Sequence, residues 1–337
     1  MPNAIRVIQY GLGPIGSAMA RHVVERAGLE LVGGVDIDPA KVGQDVGEAI
    51  GLGRPLGFVV AEKLAQVKAD AAASSHIRSG VVLHTTSSYF DLFKDQVIEI
   101  LEAGLDIVST AEELSFPWLA HPQQAAEIDA VAKHVGKTVL GTGVNPGFIM
   151  DSLPLSLTAI CQRVDHIRVA RVINASTRRG PFQAKIGSGM TVDDFNARMA
   201  AGRMGHAGLP ESVGMVFHTL GKELTRYESG VEPVVAEQLV KTKHFEVQPG
   251  QVRGLRQVAR GYSNAGEFMT LTFIAALDAD NEGDTIQITG KPDLEVKLRG
   301  TNGDIATVAI AVNAIRRVQQ AAPGLVTMRD LPLVTVW

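Results

Sequence analysis

Up to about residue 145, short aliphatic and β-branched runs alternate with segments whose apolar residues recur every three to four positions. Runs such as IRVIQY and LELVGGVDID, each followed by a helical stripe, predict parallel strands wrapped by helices. The stripe Phe93, Val97, Ile100 and Leu101 is one helix face stopped by Gly104, and LDIVST follows as a strand. Pro122 opens a further helix with Ala125, Ile128, Ala132 and Val135 on its buried side; Gly136 stops it, and TVLGTG is the next strand. In a sheet wound this way ligands gather beyond the C-terminal strand ends, here His84–Tyr89, Thr110–Trp118 and Gly141–Phe148.

After Pro146 the pattern changes. A helix is predicted near Ile149–Cys161, then the alternating strand VDHIRVARVIN, a glycine-rich loop and two helices, the first opened by a capping box of Thr191 and Asp194. Four or five strands of period two follow from Pro233 to Arg299, clearest in Met269, Leu271, Phe273, Ala275 and Leu277. This predicts an α+β domain with an open, mainly antiparallel sheet. Residues Asp304–Ala321 return to helix, with Ile305, Val308, Val312 and Ile315 on one side. We expect that segment to pack back on the first domain. The predicted boundaries are 1–146, completed by 301–337, and 147–300.

One motif points to a ligand. Between the first strand and the first helix lie Gly11, Gly13 and Gly16, a GxGxxG spacing, and Asp36 closes the second strand. Gly11 permits a tight turn, Gly13 lets backbone approach a pyrophosphate, and Gly16 lets the helix lie close to its strand. With strand before, helix after and the acid in place, this predicts a Rossmann dinucleotide site built on Gly11, Leu12, Gly13, Pro14, Ile15 and Gly16. Thr85, Thr86 and Ser87, past the next strand of the sheet, are expected along the same cofactor. Asp36 would accept both ribose hydroxyls and repel a 2′-phosphate, so NAD is favoured over NADP; Asp38 adds to that bias or is a turn residue before Pro39. No Arg or Lys lies between Asp36 and Lys41 to receive the extra phosphate.

Composition narrows the partners. A chain of 337 residues, 45% hydrophobic and 20% charged, suits two globular domains. A formal charge of −4 with scattered bases gives no footprint for nucleic acid. No apolar run is long enough for a membrane span, and the chain opens on a strand without a secretory leader, so cytoplasmic location is expected. Cys161 is the single cysteine, which excludes an internal disulfide, and no HxH, HExxH or CxxC spacing suggests a metal.

Two segments carry candidate chemistry. In STAEELSFPW, Glu112 and Glu113 leave a strand end together, and consecutive residues point apart, so at most one faces a reacting carbon. A carboxylate there can activate water and stabilise an iminium; the alternative is a silent acid at the start of a short helix. In GTGVNPGFIMD, Asn145 is pushed to extended geometry by Pro146 and can reach toward cofactor or substrate, or it serves a hinge. Phe116, Trp118, Phe148 and Phe182 line an apolar pocket or belong to the cores, and Arg171 orients substrate or pairs with an acid in its sheet. His84 and His206 are read as loop residues, each alone.

With these segments in view, the chain resembles the 2,4-diaminopentanoate dehydrogenase-like family, which includes the native amine dehydrogenases and is distantly related to dihydrodipicolinate reductase. The resemblance rests on YGLGPIG, STAEELSFPW, GTGVNPGFIMD, RVINASTRRGPFQAKIGSGM, IATVAIAVNAIRRV and APGLVTMRDLP, and spans nearly the whole chain. It implies a Rossmann domain, a C-terminal α+β domain that forms a homodimer, and NAD(P)-dependent interconversion of an amine with a carbonyl and ammonia. It also implies a catalytic glutamate, aligned with Glu113 as the third residue beyond Thr110. The His-His pair of true dihydrodipicolinate reductases is absent, and Lys185 stands in a different setting from their lysine.

The expected reaction is reductive amination of small ketones or aldehydes and oxidative deamination of the corresponding amines. The alternatives are 2,4-diaminopentanoate dehydrogenase or a related amino-acid dehydrogenase, a homoserine-dehydrogenase-type alcohol oxidoreductase, and a non-catalytic NAD sensor.

Overall fold

The computed structural model describes residues 4–67, 80–202 and 204–337. They form two compact units, Met1–Phe148 with Asn302–Trp337, and Ile149–Thr301.

The first unit is built on the seven-stranded sheet β15-β6-β5-β4-β1-β2-β3. Its strands are β1 (Ile5–Tyr10), β2 (Leu29–Val35), β3 (Val60–Ala61), β4 (Val81–His84), β5 (Asp106–Ser109), β6 (Thr138–Gly141) and β15 (Gly324–Val326). Every pair along the sheet is parallel. The strand order reverses between β1 and β4, which places the switch-point crevice beside the turn that follows Tyr10.

Helices α1 (Pro14–Glu25) and α9 (Gly303–Val318) share one core with Val7, Leu83, Val108 and Leu140. Helices α3 (Phe90–Glu102) and α4 (Pro122–Val135) share the other with Ile8, Val82, Ile107 and Val139. A four-residue helix, α2 (Val46–Ala49), is capped by Asp45. The predicted stripe Phe93, Val97, Ile100 and Leu101 is fully buried; at ~1.5–3 kcal/mol for each large apolar side chain, that face alone anchors α3 to the sheet. Gly136 ends α4 at φ 69°, a left-handed cap that glycine adopts without strain.

The second unit carries the six-stranded sheet β14-β13-β7-β12-β11-β8. Its strands are β7 (Arg163–Asn174), β8 (Arg226–Val235), β11 (Val252–Ser263), β12 (Gly266–Ala276), β13 (Gly283–Lys291) and β14 (Leu294–Leu298), with the short hairpin β9 (Val240–Lys241) and β10 (Glu246–Val247) beside it. All pairs are antiparallel except β7 with β12. Three helices, α6 (Gly180–Lys185), α7 (Val192–Ala200) and α8 (Leu209–Thr219), follow β7 where two were expected, and the first strand after them starts at Arg226, ahead of Pro233. The helix expected over Ile149–Cys161 is shorter: α5 (Ser152–Leu157) followed by a 3-10 turn to Ile160.

Thr191 does cap α7, accepting from the Asp194 N–H at 3.1 Å. Helix α8 presses onto β11 at Gly261, where an added Cβ would lie 2.5 Å from Phe217 and 2.7 Å from Val213. Ile167, Val169, Met269, Leu271, Ile286 and Ile288 are buried on one face of this sheet, whereas Ala170, Val172, Thr272, Ile274 and Thr285 on the other are partly exposed.

No helix among the described residues is long and apolar enough to cross a membrane.

Candidate active site

The glycine-rich turn is braced from below. Gln9, fully buried in β1, donates from Nε2 to the carbonyl oxygens of Gly11 and Leu83 (3.1 Å each) and to Thr85 Oγ1 (3.0 Å). Thr85 Oγ1 in turn donates to Gly11 O at 2.8 Å. A Cβ on Gly16 would lie 1.9 Å from Gly11 O and 2.5 Å from Thr85 Oγ1, so only glycine fits where α1 crosses the turn. Gly13 is different, because a Cβ there would meet nothing within 4 Å. It forms the N-cap of α1 without a side-chain cap, and Pro14 opens the helix. Open space over uncapped helix amides is what a pyrophosphate requires, so these residues fit a dinucleotide.

The Thr85 hydroxyl lies under the turn and braces it. Thr86 Oγ1 donates to Gln96 Oε1 at 2.7 Å, and Ser87 Oγ accepts from the Tyr89 N–H at 3.2 Å.

Asp36 sits at the end of β2, its Oδ2 accepting from the Leu12 N–H at 2.7 Å and its Oδ1 from the Asp38 N–H at 2.9 Å. Burial works to raise its pKa, and the two amides with the Lys41 ammonium more than offset that, holding the carboxylate below its ordinary value. Lys41 Nζ donates to Leu12 O at 2.9 Å and lies 3.4 Å from Asp36 Oδ2 and 3.5 Å from Asp38 Oδ2. The strand end that carries the expected ribose acceptor therefore also carries a cation. Asp38 Oδ1 accepts from the Ala40 N–H at 2.9 Å, the behaviour of a turn residue.

Past β5 the chain makes a 3-10 turn over Glu112–Leu114. The two glutamates differ. Glu113 Oε2 accepts from the Phe90 N–H at 2.5 Å, at the N-terminus of α3, and lies 3.3 Å from His121 Nε2. The His121 ring stacks on Phe90 with centroids 4.7 Å apart, and the Glu113 N–H donates to Ser88 O at 3.3 Å. Glu113 is thus committed to joining this turn to α3 and α4. Because successive residues diverge, Glu112 leaves the turn in another direction.

Asn145 is buried, in the segment that α9 braces through Val144 N–H donating to Thr307 Oγ1 at 3.3 Å. The structure brings Phe116 and Trp118 together, ring centroids 5.2 Å apart, with Trp118 packed on the α3 and α4 core. Phe148 is partly exposed at the end of the first unit's main segment. Phe182 lies in the second unit, under the Arg178 guanidinium at 5.0 Å.

Arg171 is buried in β7, directly across from Asp284 of β13, with Nη1 3.2 Å from Oδ1. Burial pushes the guanidinium pKa down and the Asp284 carboxyl pKa up, each opposed by the partner's charge. Of the two readings left open for Arg171, pairing with an acid is the arrangement present. Beside it in register lies Phe273, on which the His206 ring stacks at 4.8 Å, and the Gln257 side chain holds the His206 backbone through both N–H (2.7 Å) and C=O (3.3 Å).

The sequence profile of the 2,4-diaminopentanoate dehydrogenase C-terminal domain matches residues 148–337. Over 98% of its length the chain is 31% identical to the 2,4-diaminopentanoate dehydrogenase of Acetoanaerobium sticklandii, covering 94% of that protein. The chain belongs to the 2,4-diaminopentanoate dehydrogenase family. With that membership it is an oxidoreductase of the class that acts on amine groups. An amine dehydrogenase of Streptomyces virginiae is 24% identical over 98% of this chain and 96% of its own. The solved amine dehydrogenase of Mycobacterium smegmatis superposes with a TM-score of 0.85 at 25% identity, covering 100% of this chain and 98% of that one.

Among the described residues of this family member, no group of three or more His, Cys, Asp or Glu side chains is placed to hold a metal ion. Sequence reasoning missed Gln9 and His121, and it named Lys41 and His84 without placing either in contact with its partners. Gln9 left one usable signal, a polar residue inside an apolar strand run. His84, read as a lone loop residue, is the last residue of β4 and fully buried.

Proposed function

We propose that this family member is an NAD-preferring dehydrogenase that interconverts a primary amine and a carbonyl compound with ammonia, accepting NADP as second cofactor. The observation that carries this reading is an acidic pair at the end of β5 in the same unit as an open glycine-rich turn with Asp36 beside it. The first unit binds the cofactor, through Gly11–Gly16, Asp36, Thr86, Ser87 and Asn145. The second binds substrate and forms the homodimer, for which its partly exposed sheet face offers a surface. A cytoplasmic location accords with the single cysteine.

A nicotinamide cofactor held by Gly11–Gly16 and Asp36 would supply the hydride chemistry, as acceptor in amine oxidation and as donor in reverse. The balance is R₂CH–NH₃⁺ + H₂O + NAD⁺ giving R₂C=O + NH₄⁺ + NADH + H⁺. Of the two glutamates we assign the proton-handling role to Glu112, which leaves the turn in a different direction from the Glu113 carboxylate at the α3 N-terminus. The Glu112 carboxylate takes a proton from the water that adds to the substrate iminium and returns one to nitrogen as ammonia leaves. Glu113, held by Phe90 and His121, fixes the turn that presents it.

Asp36 receives the ribose hydroxyls, and Lys41 beside it is the group able to receive a 2′-phosphate. Phe116, Trp118, Phe148 and Phe182 are the apolar candidates for substrate contact. Arg171 has its charge countered by Asp284, which supports a substrate without an α-carboxylate. A second reading, a diamino acid as substrate, is favoured by the higher identity to the diaminopentanoate enzyme, 31% against 24% for the amine dehydrogenase.

NADH formation and ammonia release from cyclohexylamine and from 2,4-diaminopentanoate test the proposal. Stoichiometric products from the carboxylate-free amine support the first reading, and products from the diamino acid alone support the second. Absence of both products with either substrate contradicts the proposal.

A further inference from the structure

His84 ends β4 fully buried, between two segments to which the proposed function gives work. Its Nδ1 lies 2.8 Å from Ser109 Oγ, and Ser109 Oγ accepts from the Ala111 N–H at 3.1 Å, one residue before Glu112. On the other side Nε2 lies 2.9 Å from Gln96 Oε1 and 2.9 Å from Thr86 Oγ1.

These contacts assign the hydrogens. The amide oxygen of Gln96 can only accept, so Nε2 carries the proton, and the Thr86 hydroxyl donates to the same oxygen. Nδ1 is then the acceptor, the Ser109 hydroxyl donates to it, and the Ser109 oxygen remains able to receive the Ala111 amide. The neutral ring thus has a partner at each nitrogen. Burial keeps it neutral, lowering its pKa to about 4 against a smaller opposing effect of Gln96.

We propose that His84 is a positioning residue that couples the cofactor-side loop to the acid-bearing turn: through Nε2 it sets Thr86, and through Nδ1 and Ser109 it sets the Ala111 amide that precedes Glu112. This rests on the reading of Glu112 as the proton-handling acid and of the Thr86 loop as a cofactor contact. Gln9 and Thr85 support the turn, and Glu113 ties the acid-bearing turn to Ser88 and to the start of α3. His84 ties it to Thr86, with one nitrogen on each side.

A histidine that only fills space would be replaced equally well, or equally badly, by any side chain of similar volume. A coupling histidine has two halves that separate. An asparagine amide stands where Nδ1 stood and can keep the Ser109 contact. A glutamine amide reaches the position of Nε2 and can keep Gln96 and Thr86.

The experiment uses the full chain and measures NADH Kd by fluorescence titration without substrate, kcat for amine oxidation, and the melting temperature. His84→Asn is expected to hold kcat near wild type and weaken NADH roughly 5- to 10-fold, the equivalent of one net hydrogen bond. His84→Gln is expected to bind NADH as wild type does and lose kcat by a comparable factor. If both variants shift Kd and kcat by one common factor, or shift neither, the coupling role is overturned.

If either variant fails to fold, Ser109→Ala and Thr86→Val decide the same point: the first should lower kcat alone and the second raise Kd alone, and equal effects on both quantities overturn the proposal. A fully active Glu112→Gln enzyme would overturn the reading of Glu112 while leaving the split between the two His84 variants visible. Wild-type protein that binds NADH yet turns over neither amine nor ketone removes the functional reading and the Ser109 arm with it. The Thr86 arm is still decided by the Kd values.

Discussion

The Glu113 carboxylate accepts the Phe90 N–H at 2.5 Å, so a residue eligible by sequence for acid–base work closes the N-terminus of a neighbouring helix. An acid at that position satisfies an amide left over by α-helix geometry and lies favourably in the helix dipole. Glu113→Ala should therefore cost about 0.5–2 kcal/mol of stability, the range for losing a helix N-terminal cap, and should slow turnover only partly. Glu112→Gln should abolish turnover and leave NADH affinity close to wild type. Denaturant midpoints and kcat for both variants check this; the opposite ranking in kcat would return the acid–base role to Glu113.

The ribose end of the site carries both signs of charge. Asp36→Ala should weaken NADH by about 1.5–3 kcal/mol, the range for hydrogen bonds to a charged group, and narrow the gap to NADPH. Lys41→Ala should weaken NADPH by roughly tenfold or more and NADH by less, with the NADPH affinity of the wild type falling as salt rises. Fluorescence titrations at two ionic strengths check both variants. Equal losses for the two cofactors in Lys41→Ala would show that the lysine serves only the turn.

Much of the first unit was legible because its signals are local. The β-strand, the three glycines and the helix that follows lie within residues Ile5–Glu25, and the contact that requires glycine at position 16 is with Gly11 in the same stretch. The stripe of α3 and the glycine stop of α4 likewise need only helical geometry. What stayed hidden depends on register between distant strands. Arg171 and Asp284 face each other because β13 pairs antiparallel with β7, and no spacing within either segment announces that. Lys41 reaches Asp36 across a loop, and His84 meets Ser109 because β4 and β5 end side by side. Glu112 and Glu113 were separable only once the position of α3 was known.

The Arg171–Asp284 pair gives a stability prediction. Asp284→Ala leaves a guanidinium buried without its counter-charge, and breaking a buried pair in this way typically costs ~3–5 kcal/mol. Replacing both residues by apolar side chains of similar volume should recover much of that loss. Urea denaturation of the single and double variants checks it, and a single variant within 1 kcal/mol of wild type, on the order of an exposed pair, would place Arg171 in solvent.

His84 sets a pH dependence whose sign follows from its pKa of about 4 in the folded chain against 6.5 as the ordinary value. Between those values the unfolded chain binds the extra proton, so stability falls as pH drops from 6.5 toward 4. The shift corresponds to about 3 kcal/mol across that window. Carboxylates titrate nearby as well, so the readout is the difference between wild type and His84→Gln in urea midpoints at neutral and mildly acidic pH. That difference should change across the window; a constant difference would mean the ring is solvated.

Every catalytic role above depends on this family member joining ammonia to a carbonyl compound. The most direct measurement is NADH consumption with cyclohexanone, a short aldehyde and 2-amino-4-oxopentanoate, each with and without ammonium. Consumption should require ammonium and yield the amine. Equal consumption without ammonium, with alcohol as product, would contradict it and identify an alcohol oxidoreductase instead.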